Sequence, residues 1–198
     1  MKKDLNRTNQ EDAFYTDEVK QSLERILGAY IWRNPTVGYI QGFNFLMFRL
    51  RKVLSEEDTF WTMVQIVETY MPPDYYVEMY GVKTQASILY KIFTQYSFLP
   101  EVLKKFDQLD PPFNLIDNSI SWFVTIFTES LPEEASLRVL DLFFLRGQKS
   151  NKIIFDVTLG YLKVLEKQIL QCEDIGDLKH NVFTAKNVAL KDTEFLMA

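Results

Sequence analysis

The chain contains one cysteine and one histidine, and this scarcity excludes several classes of site. Cys172 alone cannot form an intrachain disulfide, and together with His180 it cannot complete a Cys/His zinc site. No Gly-x-Ser-x-Gly elbow accompanies His180, so a serine hydrolase is not indicated and His180 is expected at the surface. Cys172 follows an apolar helical stretch, which favours a packing role in a reducing compartment.

The chain also contains only seven glycines and seven prolines, and long apolar runs are scarce. No glycine-rich phosphate loop and no EF-hand spacing occur, so neither nucleotide, metal nor any other cofactor is expected to bind. No apolar run is long enough to span a membrane, and Lys2 and Lys3 are not followed by a signal-peptide core. A net charge of -5 without a basic cluster argues against nucleic-acid binding.

Hydrophobic residues make up 47% of the 198 residues, and aromatic residues 15%. This composition provides a large core, and apolar residues recur with helical rather than strand periodicity. The sequence therefore predicts a single all-α domain over residues 1–198, built as an irregular multi-helix fold without a sheet.

Proline, glycine and capping residues mark where the predicted helices begin and end. Thr16 or Asp17 can cap a helix that Pro35 terminates, and Ser55 with Asp58 forms a capping box. The predicted helices cover residues 17–34, 39–54, from 55 to about 71, 82–97, from Pro100, 117–130, 132–146 and 150–172. The segment 39–54 is apolar nearly all round, which is typical of a buried helix.

Two short polar motifs stand out against this apolar background: Asp4-Leu5-Asn6-Arg7-Thr8 and Tyr39-Ile40-Gln41-Gly42-Phe43-Asn44. Gln41 and Asn44 are three residues apart and are predicted to share one helical face. An arginine and a glutamine at one surface could supply what a slow GTPase lacks. The arginine would stabilise charge on the transferred phosphoryl group, and the glutamine would position the attacking water. Residue by residue, simpler interpretations stay open: Arg7 could be a solvated partner of Asp4, and Gln41 could cap a backbone group.

These motifs, in their order, resemble those of the TBC domain family of Rab GTPase-activating proteins. The first motif matches Ile-x-x-Asp-x-x-Arg with Met1 in place of Ile, and the second matches Tyr-x-Gln-Gly followed by an apolar residue and Asn. Further similar segments are 120–127, 131–134 and 137–147. The resemblance covers about residues 1–170, and its specificity lies in the ordered set.

The resemblance implies that Arg7 is an arginine finger and Gln41 a glutamine finger, both supplied in trans to a Rab GTPase in its GTP form. It implies that Asp4 orients Arg7. It implies supporting roles around the two fingers for Thr8, Tyr39, Gly42 and Asn44. Mg²⁺ and GTP would be carried by the partner, so the chain would activate a GTPase rather than be an enzyme itself. It would act in vesicle trafficking, in the cytoplasm and at membrane surfaces to which its partner recruits it.

The sequence departs from the family pattern at three places, which keeps two alternatives open. The family's Arg-x-x-x-Trp motif is absent before residue 1, so an N-terminally truncated domain is expected, and Met1 and Leu140 replace the usual Ile and Trp. One alternative is a catalytically inactive TBC-like module that binds a GTPase or scaffolds another partner. The other is a plain helical interaction domain, which predicts that Arg7 and Gln41 lie far apart.

Overall fold

The computed structural model describes residues 1–6, 8, 11–147 and 150–190. Every regular element in these residues is helical, and no strand occurs among them. The predicted all-α class is therefore confirmed. None of the helices in this described part is long and apolar enough to cross a membrane.

The chain divides into two compact units, and the first comprises Met1–Gly81. Helix α2 (Asp17–Arg33) packs against α1 (Lys2–Leu5), α3 (Phe43–Arg51) and α4 (Glu56–Gln65), so α2 is the central element of this unit. Most of the apolar stripe that the helical periodicity predicted is buried, and Ile31 near its end is half-buried. The elements are α1 (Lys2–Leu5), α2 (Asp17–Arg33), α3 (Phe43–Arg51), α4 (Glu56–Gln65), a π-helical turn (Ile66–Tyr70) and a 3₁₀ turn (Val77–Met79).

The second unit begins at Val82, within the helix that starts at Tyr80. Its longest helix, α9 (Ser150–Gln171), packs against α6 (Pro100–Gln108), α7 (Leu115–Thr125) and α8 (Glu133–Arg146) and against the C-terminal turns. An aromatic cluster fills its core, formed by Phe106, Phe113, Trp122, Phe127, Tyr161 and Phe183. The elements are α5 (Tyr80–Gln95), α6 (Pro100–Gln108), α7 (Leu115–Thr125), α8 (Glu133–Arg146), α9 (Ser150–Gln171), α10 (Ile175–Asp177), a π-helical turn (Leu178–Val182) and a 3₁₀ turn (Val188–Leu190).

Several helix termini follow directly from local sequence signals. The Thr16 hydroxyl accepts from the amide of Val19 at 3.3 Å, so Thr16 rather than Asp17 is the N-cap of α2. The predicted cap at Ser55 is confirmed by the 3.1 Å bond that the Asp58 amide donates to its hydroxyl. Pro100 occupies the first turn of α6, as expected for a residue without an amide proton.

Two predicted helix boundaries are wrong by at least four residues, and α3 also ends at Arg51 rather than at residue 54. Helix α3 begins at Phe43 rather than at residue 39, because Gly42 has a left-handed φ of 111° and interrupts helical geometry. Helix α7 ends at Thr125 rather than at 130, since Ile126 and Phe127 have φ values of 51° and 62°. These two apolar residues carry no local stop signal, and both are fully buried, so core packing overrides their backbone preference.

Candidate functional site

In the first polar motif, Thr8 bonds back to the end of α1. The Thr8 hydroxyl donates a 2.8 Å hydrogen bond to the backbone carbonyl of Asp4, and the Thr8 amide bonds to the carbonyl of Leu5. Leu5 and Thr8 are both fully buried, which anchors the end of α1 in the core of the first unit. Arg7 lies outside the described residues.

The second motif places Gln41 and Asn44 in different environments. Tyr39, Ile40 and Gln41 precede α3, and the Gln41 side chain is exposed to solvent. Asn44 lies in the first turn of α3 and is buried. The prediction that Gln41 and Asn44 share one helical face is therefore wrong, because the left-handed Gly42 separates the turn from the helix.

Asn44 caps this sharp turn from within the helix. Its side-chain oxygen accepts a 3.2 Å hydrogen bond from the amide of Gly42, a donor that the unwound backbone would otherwise leave unpaired. The Phe43 amide bonds to the Ile40 carbonyl at 3.2 Å, which closes the turn around Gln41. The position of Gln41 is thus set by backbone and side-chain bonds on both sides of it.

Four side chains join the two motifs into one hydrogen-bonded network. The Tyr39 hydroxyl donates to a carboxylate oxygen of Asp4 at 2.9 Å and lies 3.4 Å from the side-chain oxygen of Asn44. The amide nitrogen of Asn44 donates to the Thr8 hydroxyl at 2.8 Å. The side chains of Asp4, Thr8, Tyr39 and Asn44 and the backbone of Gly42 therefore form one group, which we call the motif network. Thr8 and Asn44 are buried and Asp4 and Tyr39 are half-buried, so these bonds pair polar groups that would be costly to leave unpaired away from water.

Three further side chains hold the same part of the chain and were not predicted from the sequence. Asp12 and Tyr15 lie between α1 and α2, and Lys52 follows α3. Lys52 bonds to Asp12, and Tyr15 bonds to the carbonyl of Leu5. The local sequence signal here is Asp12, because an aspartate side chain often accepts from the amide two residues later in an Asx turn. The Phe14 amide does donate to the Asp12 carboxylate at 2.9 Å.

Cys172 and His180 lie away from this network along the chain, in the second unit. Cys172 is buried, its thiol donates to the Ile169 carbonyl at 3.0 Å, and burial raises its pKa, which confirms the packing role. His180 is exposed, as predicted. Within the described ranges, no three His, Cys, Asp or Glu side chains are grouped so that they could hold a metal ion.

Comparison with known proteins identifies the family. The family model described as RabGAP-TBC, the Rab-GTPase-TBC domain, matches residues 1–170. The chain belongs to the Rab-GTPase-TBC domain family. This match confirms the resemblance read from the ordered motifs, over the range that those motifs indicated.

Curated relatives of this TBC domain are considerably longer proteins. TBC1 domain family member 2B of Xenopus tropicalis is 34% identical over 175 residues, which cover 86% of this chain and 18% of that protein. Small G protein signaling modulator 3 of Homo sapiens is 31% identical over 201 residues, covering 100% of this chain and 26% of that protein. The chain thus spans 18 to 26% of the length of these two relatives.

Solved structures share the fold. The Chlamydomonas flagellar RabGAP TBC domain is 29% identical, with a TM-score of 0.73, covering 92% of this chain and 59% of that chain. The Ypt/Rab-GAP domain of Gyp1p has a TM-score of 0.78 over 99% of this chain and 68% of that chain. The second is only 18% identical and supports the fold alone.

Proposed function

We propose that this TBC domain is a GTPase-activating domain for a Rab-family small GTPase. Arg7 and Gln41 are its arginine and glutamine fingers, supplied in trans to the GTP-bound partner. The domain acts at the membrane surface to which that GTPase brings it. Its family membership supports the activity, and the local geometry of the two motifs supports the choice of residues.

The motif network is the observation that carries this proposal. In the first motif it fixes Asp4 and Thr8, which flank Arg7 in the sequence on either side. In the second motif it fixes Tyr39, Gly42 and Asn44, which flank Gln41. Both fingers must reach the same phosphate of GTP, so the two segments that carry them need a fixed relative position. The hydrogen bonds between the motifs provide such a connection.

The exposure of Gln41 supports its role as a group offered to a partner. A glutamine amide on an unwound turn can both donate to and accept from water, so it can orient the attacking water molecule. A guanidinium supplied by Arg7 would stabilise the charge that spreads over the transferred phosphoryl group. Mg²⁺ and GTP belong to the partner, and the domain contributes position and charge.

The test is phosphate release from a panel of GTP-loaded Rabs, with and without the domain. For a Rab that the wild type stimulates, Arg7→Ala is expected to lose most of the stimulation, since an arginine finger contributes about 10³–10⁵ in rate. Gln41→Ala is expected to do the same. Arg7→Lys should also fail, because an ammonium lacks the planar fork of a guanidinium.

Matched control variants are Arg138→Ala on α8 and Gln65→Ala at the end of α4, both at exposed positions. These should retain wild-type stimulation. A wild-type domain that binds GTP-loaded Rabs but stimulates none of them would favour the binding-module alternative. Stimulation that survives Arg7→Ala would show that Arg7 is not the finger.

A further inference from the structure

An ion pair between Asp12 and Lys52 connects the segment after α1 to the end of α3. The Lys52 ammonium lies 2.7 Å from a carboxylate oxygen of Asp12, across forty positions of sequence. The same ammonium lies 5.9 Å from the ring centroid of Phe14 and 5.7 Å from that of Phe48. Lys52 therefore has both an anion and two aromatic rings around its ammonium.

This ion pair is more enclosed than an ordinary surface salt bridge. The side chains of Lys52 and Asp12 are only 14% and 24% exposed, and the other Asp12 oxygen accepts from the amide of Phe14 at 2.9 Å. Burial disfavours the charge on Asp12, but the bonds from Lys52 and Phe14, and the nearby charge of Arg49, outweigh it and lower the pKa of this carboxyl. The pair is consequently screened less by water than an exposed pair.

Tyr15 provides a second attachment, which joins the residues before α2 to the end of α1. Its hydroxyl donates to the carbonyl of Leu5, the last residue of α1, and its ring packs edge-on against Phe48 at 5.3 Å. Tyr15 also bonds through its amide to the carbonyl of Asp12 at 2.8 Å. The end of α1 and the residues before α2 are thus held together, and both are held against α3.

We propose that Asp12, Tyr15 and Lys52 form a clamp that positions the chain between α1 and α2 for GTPase activation. The proposal rests on the proposed function, because Arg7 lies in this part of the sequence. The motif network holds Thr8, which follows Arg7 in the sequence. The clamp holds Leu5, which precedes Arg7, through the hydroxyl of Tyr15. The Asp12–Lys52 ion pair in turn fixes Asp12, to whose carbonyl the Tyr15 amide bonds. Fixing a segment at both sides removes, before the partner arrives, conformational freedom that would otherwise oppose the transition state. These three are positioning residues, acting through the segment they hold.

The decisive variant is Lys52→Met, which removes the ammonium and keeps a chain of similar length over Phe14 and Phe48. The kcat for stimulated hydrolysis is expected to fall by about 10- to 100-fold, because small misplacements of a reacting group have effects of this order. KM for the GTP-loaded Rab should stay unchanged. Lys52→Arg keeps a cation within reach of Asp12 and should retain most of kcat.

The matched control is Arg25→Met, which breaks the Arg25–Glu56 ion pair between α2 and α4 in the same unit. Arg25→Met should leave kcat unchanged. That result would show that the fall in kcat in Lys52→Met does not come from losing just any ion pair of this unit. An unchanged kcat in folded Lys52→Met would overturn the proposal. A raised KM with unchanged kcat would also overturn it, since it would place Lys52 in contact with the GTPase.

Amide hydrogen exchange tests the clamp without any GTPase. Lys52→Met should accelerate exchange at the amides of Phe14 and Tyr15, whereas Arg25→Met should not. Unchanged exchange in Lys52→Met would overturn the clamp even if the wild type is active. If the wild type stimulates no Rab, the proposed function fails and the catalytic part of this proposal fails with it. Accelerated exchange would then still support the clamp as a structural device.

Discussion

The side-chain amide of Asn44 donates a 2.8 Å hydrogen bond to the hydroxyl of Thr8, thirty-six residues earlier in the chain. Asn44 is 1% exposed and Thr8 is fully buried. The bond joins α3, which begins directly after the left-handed Gly42, to the segment that follows α1. This pairing ties the two motifs together, and its removal is the first prediction.

Thr8→Val is expected to lower the free energy of unfolding by about 1–3 kcal/mol, because it leaves the buried amide of Asn44 without its acceptor. Urea unfolding measures the change. The matched control is Thr158→Val in α9, whose buried hydroxyl bonds within its own helix to the carbonyl of Ile154. Thr158→Val should cost clearly less, since it leaves no other side chain unpaired. Equal costs for the two variants would contradict the importance of the Asn44 bond.

Alanine at two helical glycines is predicted to have opposite effects. A Cβ at Gly81 would lie 2.5 Å from the Cα of buried Tyr75, so Gly81→Ala must displace backbone and should cost about 1–3 kcal/mol. A Cβ at Gly28 in α2 would meet no atom within 4 Å, so Gly28→Ala should stabilise by about 0.5–1 kcal/mol. Thermal unfolding of both variants tests the prediction, and a stable Gly81→Ala would contradict it.

The ion pair of Glu56 with Arg25 is predicted to make stability depend on acid pH. The guanidinium donates two 2.7 Å bonds to the carboxylate, and these bonds lower the pKa of Glu56 from the ordinary 4.5 to about 2. Because the folded pKa lies below the unfolded one, the stabilisation is complete above about pH 4.5 and is lost as the pH falls towards about 2.

Urea unfolding of wild type and Glu56→Gln at a series of pH values measures this dependence. The wild type should be the more stable at neutral pH, and the difference should disappear as Glu56 is protonated in the folded state. In an Arg25→Met background, the same substitution should show a clearly weaker dependence, because only the bond from Ser22 and the charge of Arg51 then lower the pKa of Glu56. A wild-type advantage that persists unchanged to about pH 2 would contradict the assignment to this ion pair.

Tyr161→Phe is predicted to leave stability unchanged or to raise it by up to about 1 kcal/mol. The Tyr161 hydroxyl is buried in the aromatic cluster and has no hydrogen-bond partner among the residues that the structure describes, and burial raises its pKa. Tyr30 is the matched control, since it is also fully buried but its hydroxyl accepts from Asn34 at 3.3 Å.

Tyr30→Phe is therefore expected to destabilise by about 0.5–1.5 kcal/mol, the usual net contribution of one hydrogen bond. Denaturant unfolding compares the two substitutions. A larger loss for Tyr161→Phe than for Tyr30→Phe would show that the Tyr161 hydroxyl has a partner of energetic importance.

The sequence by itself determined the all-α class and most helix termini. Signals such as the hydroxyl of Thr16, the hydroxyl of Ser55 and the ring of Pro100 act within three residues of their own position. Local interactions of this kind do not depend on how the rest of the chain packs, so they can be read before any fold is known. The ordered motifs identified the family for a related reason, since their spacing along the chain is itself the signal.

Only the tertiary structure decided where α3 begins and which side chains meet around it. The apolar residues on both sides of Gly42 continued the helical pattern, and its left-handed backbone became apparent only in the folded chain. The partners of Asn44 and Lys52 lie thirty-six and forty residues away in sequence. Contacts across such distances depend on how the whole of α2 packs against α3, which no pattern within a short window can specify.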